Sequence, residues 1–205
     1  MGLYVAFEGI EGCGKTTLAN LFCNWLKQKG ERVVLTREPG GTDLGRRLRE
    51  LLLFSDPSPM AELFIFLADR AEHIKKLVKP SLDAGLWVVS DRCFLSTLAY
   101  QGYGRGILDL DRLRDLCRLS AGGLVPDLIF LIDVDPEVSL ARIGEADRIE
   151  SEPIEFHKRV RRGYLKEAKR LKAVVLDGRN SPSVLLNQVI DSVNQMLAAS
   201  SGKTT

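Results

Sequence analysis

A glycine-rich segment near the start of the chain has the residue types and spacing of a phosphate-binding loop. Gly9, Gly14, Lys15 and Thr16 occupy the fixed positions of the pattern G-x-x-x-x-G-K-[ST]. Glycines let the backbone turn so that successive N–H groups converge on phosphate oxygens at a helix N-terminus. The lysine supplies a positive charge for the β- and γ-phosphates, and the threonine hydroxyl suits the Mg²⁺ shell. These residues predict binding of a magnesium-bound nucleoside triphosphate.

Charged residues also follow the second and third predicted strands. Arg37 and Glu38 come after one strand, and Asp91 and Arg92 come after the next. Because loops at the carboxyl ends of parallel strands line the ligand crevice, we expect these residues to face the glycine loop. Asp91 would lie on the Mg²⁺ side, and phosphoryl transfer needs cations around the transferring group. The candidate cations in loops or at helix ends are Lys15, Arg37, Arg49, Arg92, Arg142 and Arg148.

Strand and helix patterns alternate along the chain, and the elements that they predict must position these residues. Five short apolar runs predict strands at residues 3–7, 32–36, 86–90, 128–132 and 173–176. Helical periodicity predicts the main helices at about 15–25, 43–54, 61–78 (ended by Pro80), 109–121, 136–142, 153–171 and up to 197. This alternation predicts a three-layer α/β fold in which a five-stranded parallel sheet carries helices on both faces.

The bulk composition is that of an ordinary globular protein. The chain has 205 residues, 45% of them hydrophobic and 27% charged, with a formal net charge of +2. We expect one domain over residues 1–197 and a disordered tail over 198–205. The charges do not predict a nucleic-acid partner, and no apolar run approaches the length of a membrane span.

The cysteines and histidines do not form recognisable metal or disulfide patterns. Four cysteines without a C-x-x-C pair, and no secretory signal, lead us to expect free thiols and a cytoplasmic location. His73 and His157 lie on predicted helices without metal-ligand spacing. We expect surface or helix-capping positions for both.

Longer strings resemble the bacterial thymidylate kinase family. They are FEGIEGCGKTT, TREPGGT, the stretch from Phe66 to Arg70, and DRCFLSTLAYQGYG, in that order and spacing. The resemblance covers nearly the whole chain. It implies a P-loop NTPase fold and transfer of the γ-phosphate of ATP to dTMP, giving dTDP and ADP for dTTP synthesis. It also implies Mg²⁺ as cofactor and a homodimer, formed through the apolar helices that flank Phe64.

The same resemblance implies roles for individual positions on the acceptor side. Phe66 would stack on thymine, Arg70 would donate to a thymine oxygen, and Tyr100 would crowd out a ribose 2′-hydroxyl. Glu11 would meet the 3′-hydroxyl. The full set implied for dTMP is Glu11, Arg37, Pro39, Arg49, Phe66, Arg70, Arg92, Ser96, Thr97, Tyr100 and Gln101.

The donor side would be formed by the glycine loop and arginines of a short lid at about residues 142–152. The ATP-binding set is Gly9, Ile10, Glu11, Gly12, Cys13, Gly14, Lys15, Thr16, Thr17 and Arg142. The metal residues would be Thr16 and Asp91, and the catalytic cations Lys15, Arg37, Arg92, Arg142 and Arg148. Two features depart from the family: Arg46 replaces a glutamate after the TREPGGT loop, and the lid carries only Arg142 and Arg148.

Two other functions are consistent with a phosphate loop. One is a related kinase with dUMP or a deoxynucleoside as acceptor, because a thymine methyl group adds only about 1–3 kcal/mol of discrimination. The other is an ATPase or nucleotide switch, which would leave Arg37, Phe66, Arg70 and Tyr100 without a role. A switch GTPase would need D-x-x-G and N-K-x-D strings, and neither occurs in the sequence.

Overall fold

The computed structural model describes residues 2–144 and 147–201. Its strands are β1 Tyr4–Glu8, β2 Val33–Arg37, β3 Trp87–Asp91, β4 Leu128–Asp133 and β5 Val174–Asp177. All pair in parallel in the order β2-β3-β1-β4-β5. The predicted five-stranded parallel sheet surrounded by helices is therefore confirmed.

The α-helices lie between and after the strands. They are α1 Lys15–Gln28, α2 Asp43–Phe54, α3 Pro59–His73, α4 Lys79–Asp83, α5 Phe94–Thr97, α6 Leu110–Ser120, α7 Pro136–Leu140, α8 Ile154–Leu171 and α9 Pro182–Ser201. The last helix extends four residues beyond the predicted end at Leu197, and residues 202–205 of the predicted tail lie outside the described residues. Within the described ranges, no helix combines the length and apolarity needed to cross a bilayer.

The predicted helix end before Pro80 was wrong. A π-helical segment, Ile74–Val78, follows α3 directly, and α4 continues from it with Pro80 in its first turn. Proline is tolerated in the first turn of a helix, where its missing N–H is not needed. The wider π turn interrupts the regular hydrogen-bond ladder just before the proline, so the chain stays helical to Asp83.

Aromatic packing fixes the sheet against α1. All five residues of β1 are buried, and the Phe7 ring stacks on Phe130 of β4 with the ring centroids 5.5 Å apart. Phe22 of α1 meets Phe7 edge to face at 6.0 Å. Such pairs contribute about 0.5–1.5 kcal/mol each beyond the burial of apolar area. The loop between β1 and α1 therefore starts and ends on firmly packed elements.

Strand register brings the predicted polar residues to one edge of the sheet. Phe7 of β1 and Arg37 of β2 both lie opposite Asp91 of β3. Arg92 and Glu38 follow directly, and the Glu38 N–H donates to the Asp91 carbonyl oxygen at 3.1 Å. The ends of β1, β2 and β3 therefore lie side by side, as expected for parallel strands.

The expectation for the two histidines was wrong. His73 and His157 are both fully buried. His73 is hydrogen bonded on both ring nitrogens, whereas the ring nitrogens of His157 have no hydrogen-bond partner among the described residues. The hydrogen-bond partners of His73 are Thr36 and Glu38, which lie in a distant part of the chain. Helical spacing alone does not reveal such contacts.

Candidate active site

The glycine loop adopts backbone conformations that favour glycine. Gly9, Gly12 and Gly14 have φ angles of 143°, 71° and 99°. A Cβ atom on Gly12 would lie 2.1 Å from the carbonyl oxygen of Ser139, so a side chain there would collide with α7. The loop therefore runs close against its neighbours and ends at the first turn of α1, where free backbone N–H groups favour an anion.

Lys15 is folded back across this loop. Its Nζ donates to the carbonyl oxygen of Ile10 at 2.7 Å and lies 3.7 Å from the Cys13 sulfur. The side chain is only 7% exposed. The ammonium group is thus held over the loop, at the position where a phosphate chain would lie.

Thr16, in the first turn of α1, meets Asp91 at the end of β3. The Thr16 hydroxyl donates to the Asp91 carboxylate, and both side chains border a cleft that also contains Arg37. A hydroxyl and a carboxylate are oxygen ligands of the kind Mg²⁺ prefers, and Mg²⁺ usually takes only one or two protein groups beside water and phosphate. The two predicted metal residues therefore fit the ion.

Arg92 occupies the junction between the loop and a larger cavity. Its φ of 80° is rare for a residue other than glycine, and such a conformation costs roughly 1–3 kcal/mol. Its guanidinium donates to Glu11 at 2.7 Å, to Tyr164 at 3.0 Å and to the Gly9 carbonyl at 3.2 Å. Burial opposes its charge, but the surrounding hydroxyl and carboxyl groups hold the pKa of Arg92 well above its usual value.

Glu11 links the glycine loop to the same cavity. One carboxylate oxygen binds Arg92, and the other accepts a hydrogen bond from the Tyr100 hydroxyl. Burial alone would raise the pKa of Glu11, but Arg92 and Lys15 hold it below its usual value. An ionised carboxylate is therefore available at the boundary between loop and cavity.

Glu8 is a site residue that the sequence analysis missed. It is fully buried at the end of β1 and accepts from the Cys93 N–H at 2.8 Å, from the Ser96 hydroxyl at 2.6 Å and from the Tyr164 hydroxyl at 3.0 Å. It thereby fixes the start of α5 beside Arg92. The signal in the sequence that could have identified Glu8 is that it is a single charged residue at the end of an otherwise apolar strand.

The cavity beside Arg92 has about 760 Å³ of empty space, including the part open to solvent. Ten of the eleven residues predicted for dTMP line it: Glu11, Pro39, Arg49, Phe66, Arg70, Arg92, Ser96, Thr97, Tyr100 and Gln101. The eleventh, Arg37, lies in the neighbouring cleft with Thr16 and Asp91. Positions far apart in the sequence therefore converge on one concave surface next to the glycine loop.

Arg70 is held from several sides within this cavity wall. Its Nε donates to Glu38 at 2.9 Å, and one terminal nitrogen donates to the Thr97 hydroxyl at 3.0 Å. Burial opposes ionisation of Glu38, yet Arg70 and the hydrogen bond from His73 hold the pKa of its carboxyl below the usual value. Glu38, which the sequence placed at the sheet edge, is thus a buried partner of Arg70.

The structure separates the two predicted lid arginines. Arg142 donates to the carbonyl oxygen of Gly12 at 3.4 Å, beside the glycine loop. Arg148 instead binds Glu62 of α3 and the Leu52 carbonyl of α2 at 3.2 Å. Residues of the same segment that the sequence analysis did not assign to the acceptor side also line the cavity: Asp147, Ile149 and Glu150.

Three comparisons with known proteins point to the same family. A family model described as thymidylate kinase matches residues 7–189. The chain is 48% identical to a thymidylate kinase of Carboxydothermus hydrogenoformans, over 92% of this chain and 95% of that one. It is 49% identical to one of Sulfurihydrogenibium sp., over 95% and 98%. A crystal structure of thymidylate kinase from Ehrlichia chaffeensis matches with a TM-score of 0.78 at 36% identity, covering 94% of this chain and 98% of that one.

Proposed function

The chain belongs to the thymidylate kinase family, and we propose that its cavity binds dTMP while its glycine loop binds MgATP. As a thymidylate kinase it transfers the γ-phosphate of ATP to dTMP, giving dTDP and ADP. The observation that carries the site proposal is the convergence of ten acceptor-side residues on one cavity adjoining the loop. Glu11 and Arg92 lie where the two substrates would meet.

On the donor side, backbone N–H groups at the start of α1 would bind phosphate oxygens, with Lys15 reaching the β- and γ-phosphates. Thr16 and Asp91 would hold Mg²⁺, which when bound offsets phosphate charge. Arg142 lies beside the loop, which supports its role on the donor phosphates. For Arg148 the proposed donor contact requires release from Glu62.

On the acceptor side, Phe66 would stack on thymine, and Arg70, Thr97 and Gln101 would surround the base edge. Tyr100 and Glu11 would face the sugar, where the Tyr100 ring restricts space for a 2′-hydroxyl. The guanidinium groups of Arg37, Arg49 and Arg92 would bind the acceptor phosphate and the transferring group. Positioning and charge compensation of this kind supply most of the catalysis in phosphoryl transfer.

A homodimer and a cytoplasmic location complete the proposal. Helices α2 and α3 expose large apolar side chains, among them Leu51, Phe54 and Phe64, with Phe54 85% and Phe64 55% exposed. Exposed apolar patches of this kind are typical of protein interfaces, which supports a second copy of this chain as the occupant. The four cysteines are unpaired, as expected in a reducing compartment.

The test is a coupled assay of ADP release with MgATP, first alone and then with dTMP, dUMP, dCMP, ribosyl-TMP or thymidine. We expect fast release with dTMP, slower release with dUMP and little with the others. Equal release without any acceptor would indicate an ATPase, and the acceptor-side roles would then be withdrawn. Equal rates with dTMP and dUMP would indicate that the thymine methyl group does not contribute to selection.

A further inference from the structure

A chain of buried hydrogen bonds runs from β2 through α3 to the cavity wall. The Thr36 hydroxyl lies 2.7 Å from Nε2 of His73, and Nδ1 of His73 lies 2.9 Å from one oxygen of Glu38. The other Glu38 oxygen accepts from Nε of Arg70 at 2.9 Å. His73 is completely buried, and the other three side chains are at most 8% exposed.

Each group in this chain restricts the next. An ionised carboxylate only accepts hydrogen bonds, so Nδ1 of His73 must carry the proton that Glu38 accepts. Removing His73 would leave one Glu38 oxygen buried without a donor, which is costly for a charged group. Glu38 would then be free to turn away from Arg70.

Arg70 has almost no spare hydrogen-bonding capacity. A guanidinium has five N–H groups. Four have partners among the described residues: one each on Glu38, the Cys93 carbonyl and Thr97, and one directed at the Cys117 sulfur at 4.0 Å. One N–H on Nη1 is left for a ligand.

We propose that His73, fixed by Thr36, is a positioning residue that acts through Glu38 to hold Arg70 for recognition of a 4-oxo pyrimidine. This inference rests on the proposed function, in which Arg70 faces the base of the acceptor nucleotide. A single fixed donor suits a carbonyl oxygen, as in thymine and uracil. It opposes the amino group of cytosine, because two donors would then face each other.

The surrounding loop is built around the same pair of side chains. A Cβ atom on Gly41 would lie 2.6 Å from both the Thr36 hydroxyl oxygen and Cδ2 of His73. Gly40 next to it donates its N–H to Asp69 at 3.0 Å. The loop that carries Pro39 into the cavity therefore closes directly over the Thr36–His73 pair.

The test compares steady-state kinetics of His73→Leu, His73→Asn, Arg70→Ala and the double variant His73→Leu/Arg70→Ala. Leucine removes both hydrogen bonds, whereas the asparagine amide can still donate to Glu38. We expect His73→Leu to raise the KM for dTMP roughly tenfold, because a hydrogen bond to a charged group is lost. The KM for ATP should change less than about twofold, and His73→Asn should recover most of the loss.

The double variant tests whether His73 acts through Arg70. If it does, adding His73→Leu to Arg70→Ala should not raise the KM for dTMP further. The wild-type preference for dTMP over dCMP should fall in His73→Leu by a similar factor. Additive effects in the double variant, or equal increases in both KM values, would make His73 an ordinary core residue and overturn the proposal.

Two controls separate the possible failures. Thr36→Val removes only the hydrogen bond between Thr36 and His73 and should raise the KM for dTMP a few fold, whereas Thr36→Ser keeps the hydroxyl and should not. If His73→Leu does not fold, this pair of variants tests the positioning role of His73. An unchanged KM for dTMP in Arg70→Ala would overturn the base assignment of Arg70 itself, and the role of His73 with it. An effect of Arg70→Ala without any effect at His73 or Thr36 would overturn only this inference.

Discussion

Phe66 is the residue whose proposed role is most easily separated from a structural one. It is only partly buried and lines the cavity, so its ring is available to a base. We predict that Phe66→Ala raises the KM for dTMP by roughly ten- to a hundredfold, because stacking on one base is worth about 1–3 kcal/mol. The KM for ATP should stay nearly constant in the same steady-state assay.

Phe64 provides a matched control on the same helix. It is 55% exposed and does not line the cavity. Phe64→Ala should leave the KM for dTMP unchanged. If both variants raised the KM values for dTMP and ATP equally, Phe66 would be a packing residue rather than a base contact.

Asp69 should make stability depend on pH. Burial raises its pKa from the ordinary value of 3.8 to about 6, although the hydrogen bond from Gly40 opposes the shift. Because the folded pKa lies above the unfolded one, this group favours the folded state fully below about pH 4. That contribution is lost as the pH rises through 6, and the total change is about 3 kcal/mol at 1.36 kcal/mol per pKa unit.

The measurement compares wild type with Asp69→Asn by chemical denaturation between pH 4 and pH 8. Asparagine keeps an oxygen that can accept from Gly40 but does not titrate. The free energy of unfolding of wild type, minus that of the variant, should decline by about 2.5 kcal/mol from pH 4 to pH 7 and then level off. A difference that does not vary with pH would show that Asp69 titrates normally.

The sequence predicted the placement of single residues where a motif or a strand end specified them, and the roles assigned to those residues stay predictions. Glu11, Arg92 and Tyr100, which the resemblance assigns to the acceptor side, line one cavity. It failed for His73, whose partners Thr36 and Glu38 are 37 and 35 positions away. A helical pattern reports which face is apolar, but it does not report which distant polar group will satisfy a buried ring nitrogen.

Among the secondary-structure elements, the two π-helical segments were the least predictable. One follows α3, and the other, Leu98–Gly104, carries Tyr100 and Gln101 into the cavity. Sequence periodicity assumes 3.6 residues per turn, so a wider turn changes which residues share a face. The limits of α2 and the existence of all five strands were predictable because their apolar patterns are regular and their ends are marked by turn residues.

The contact between α8 and the segment Leu98–Gly104 should be sensitive to added volume. A Cβ atom on Gly104 would lie 2.7 Å from the Phe156 ring and 2.9 Å from Val160. We predict that Gly104→Ala lowers the free energy of unfolding by about 1–3 kcal/mol, as overpacking of a core does. It should also raise the KM for dTMP, because Tyr100 and Gln101 lie on the displaced segment.

The control for this variant is Gly144→Ala, since an added methyl group at Gly144 meets no heavy atom of the described residues within 4 Å. Both variants would be measured by chemical denaturation and steady-state kinetics. Equal free energies of unfolding for the two variants would contradict the packing argument. A destabilised Gly104→Ala with normal KM for dTMP would separate stability from the acceptor site.

For the molecule as a whole, the exposed apolar side chains of α2 and α3 form the proposed interface between two copies of the chain. We predict that Phe64→Arg changes the mass in sedimentation equilibrium from twice 22.8 kDa to 22.8 kDa, because a charge would be buried in the proposed interface. Leu119→Arg is the control, since Leu119 is 77% exposed on α6, outside the proposed interface. A monomeric wild type, or a dimer that survives Phe64→Arg, would refute this interface.

The order of the strands was not predictable from their patterns alone. Each apolar run indicates a buried strand, but β1 lies between β3 and β4 because of packing between residues far apart in sequence. The central position of β1 follows from its complete burial on both faces, together with pairing on both edges. The same placement puts the glycine loop in the middle of the sheet edge, beside the proposed sites of both substrates.

All four cysteines are buried and unpaired, and burial raises the pKa of Cys23 to about 11 and that of Cys93 well above its usual value. In the folded protein these thiols should resist alkylation, so labelling measures how often each region opens. Cys13 lies in the glycine loop, whereas Cys93 lines the cavity beside Arg92. Nucleotide binding should therefore slow alkylation selectively: ATP at Cys13, and dTMP at Cys93. Under the proposed function, Cys13 and Cys93 would serve as separate chemical reporters of ATP and dTMP occupancy.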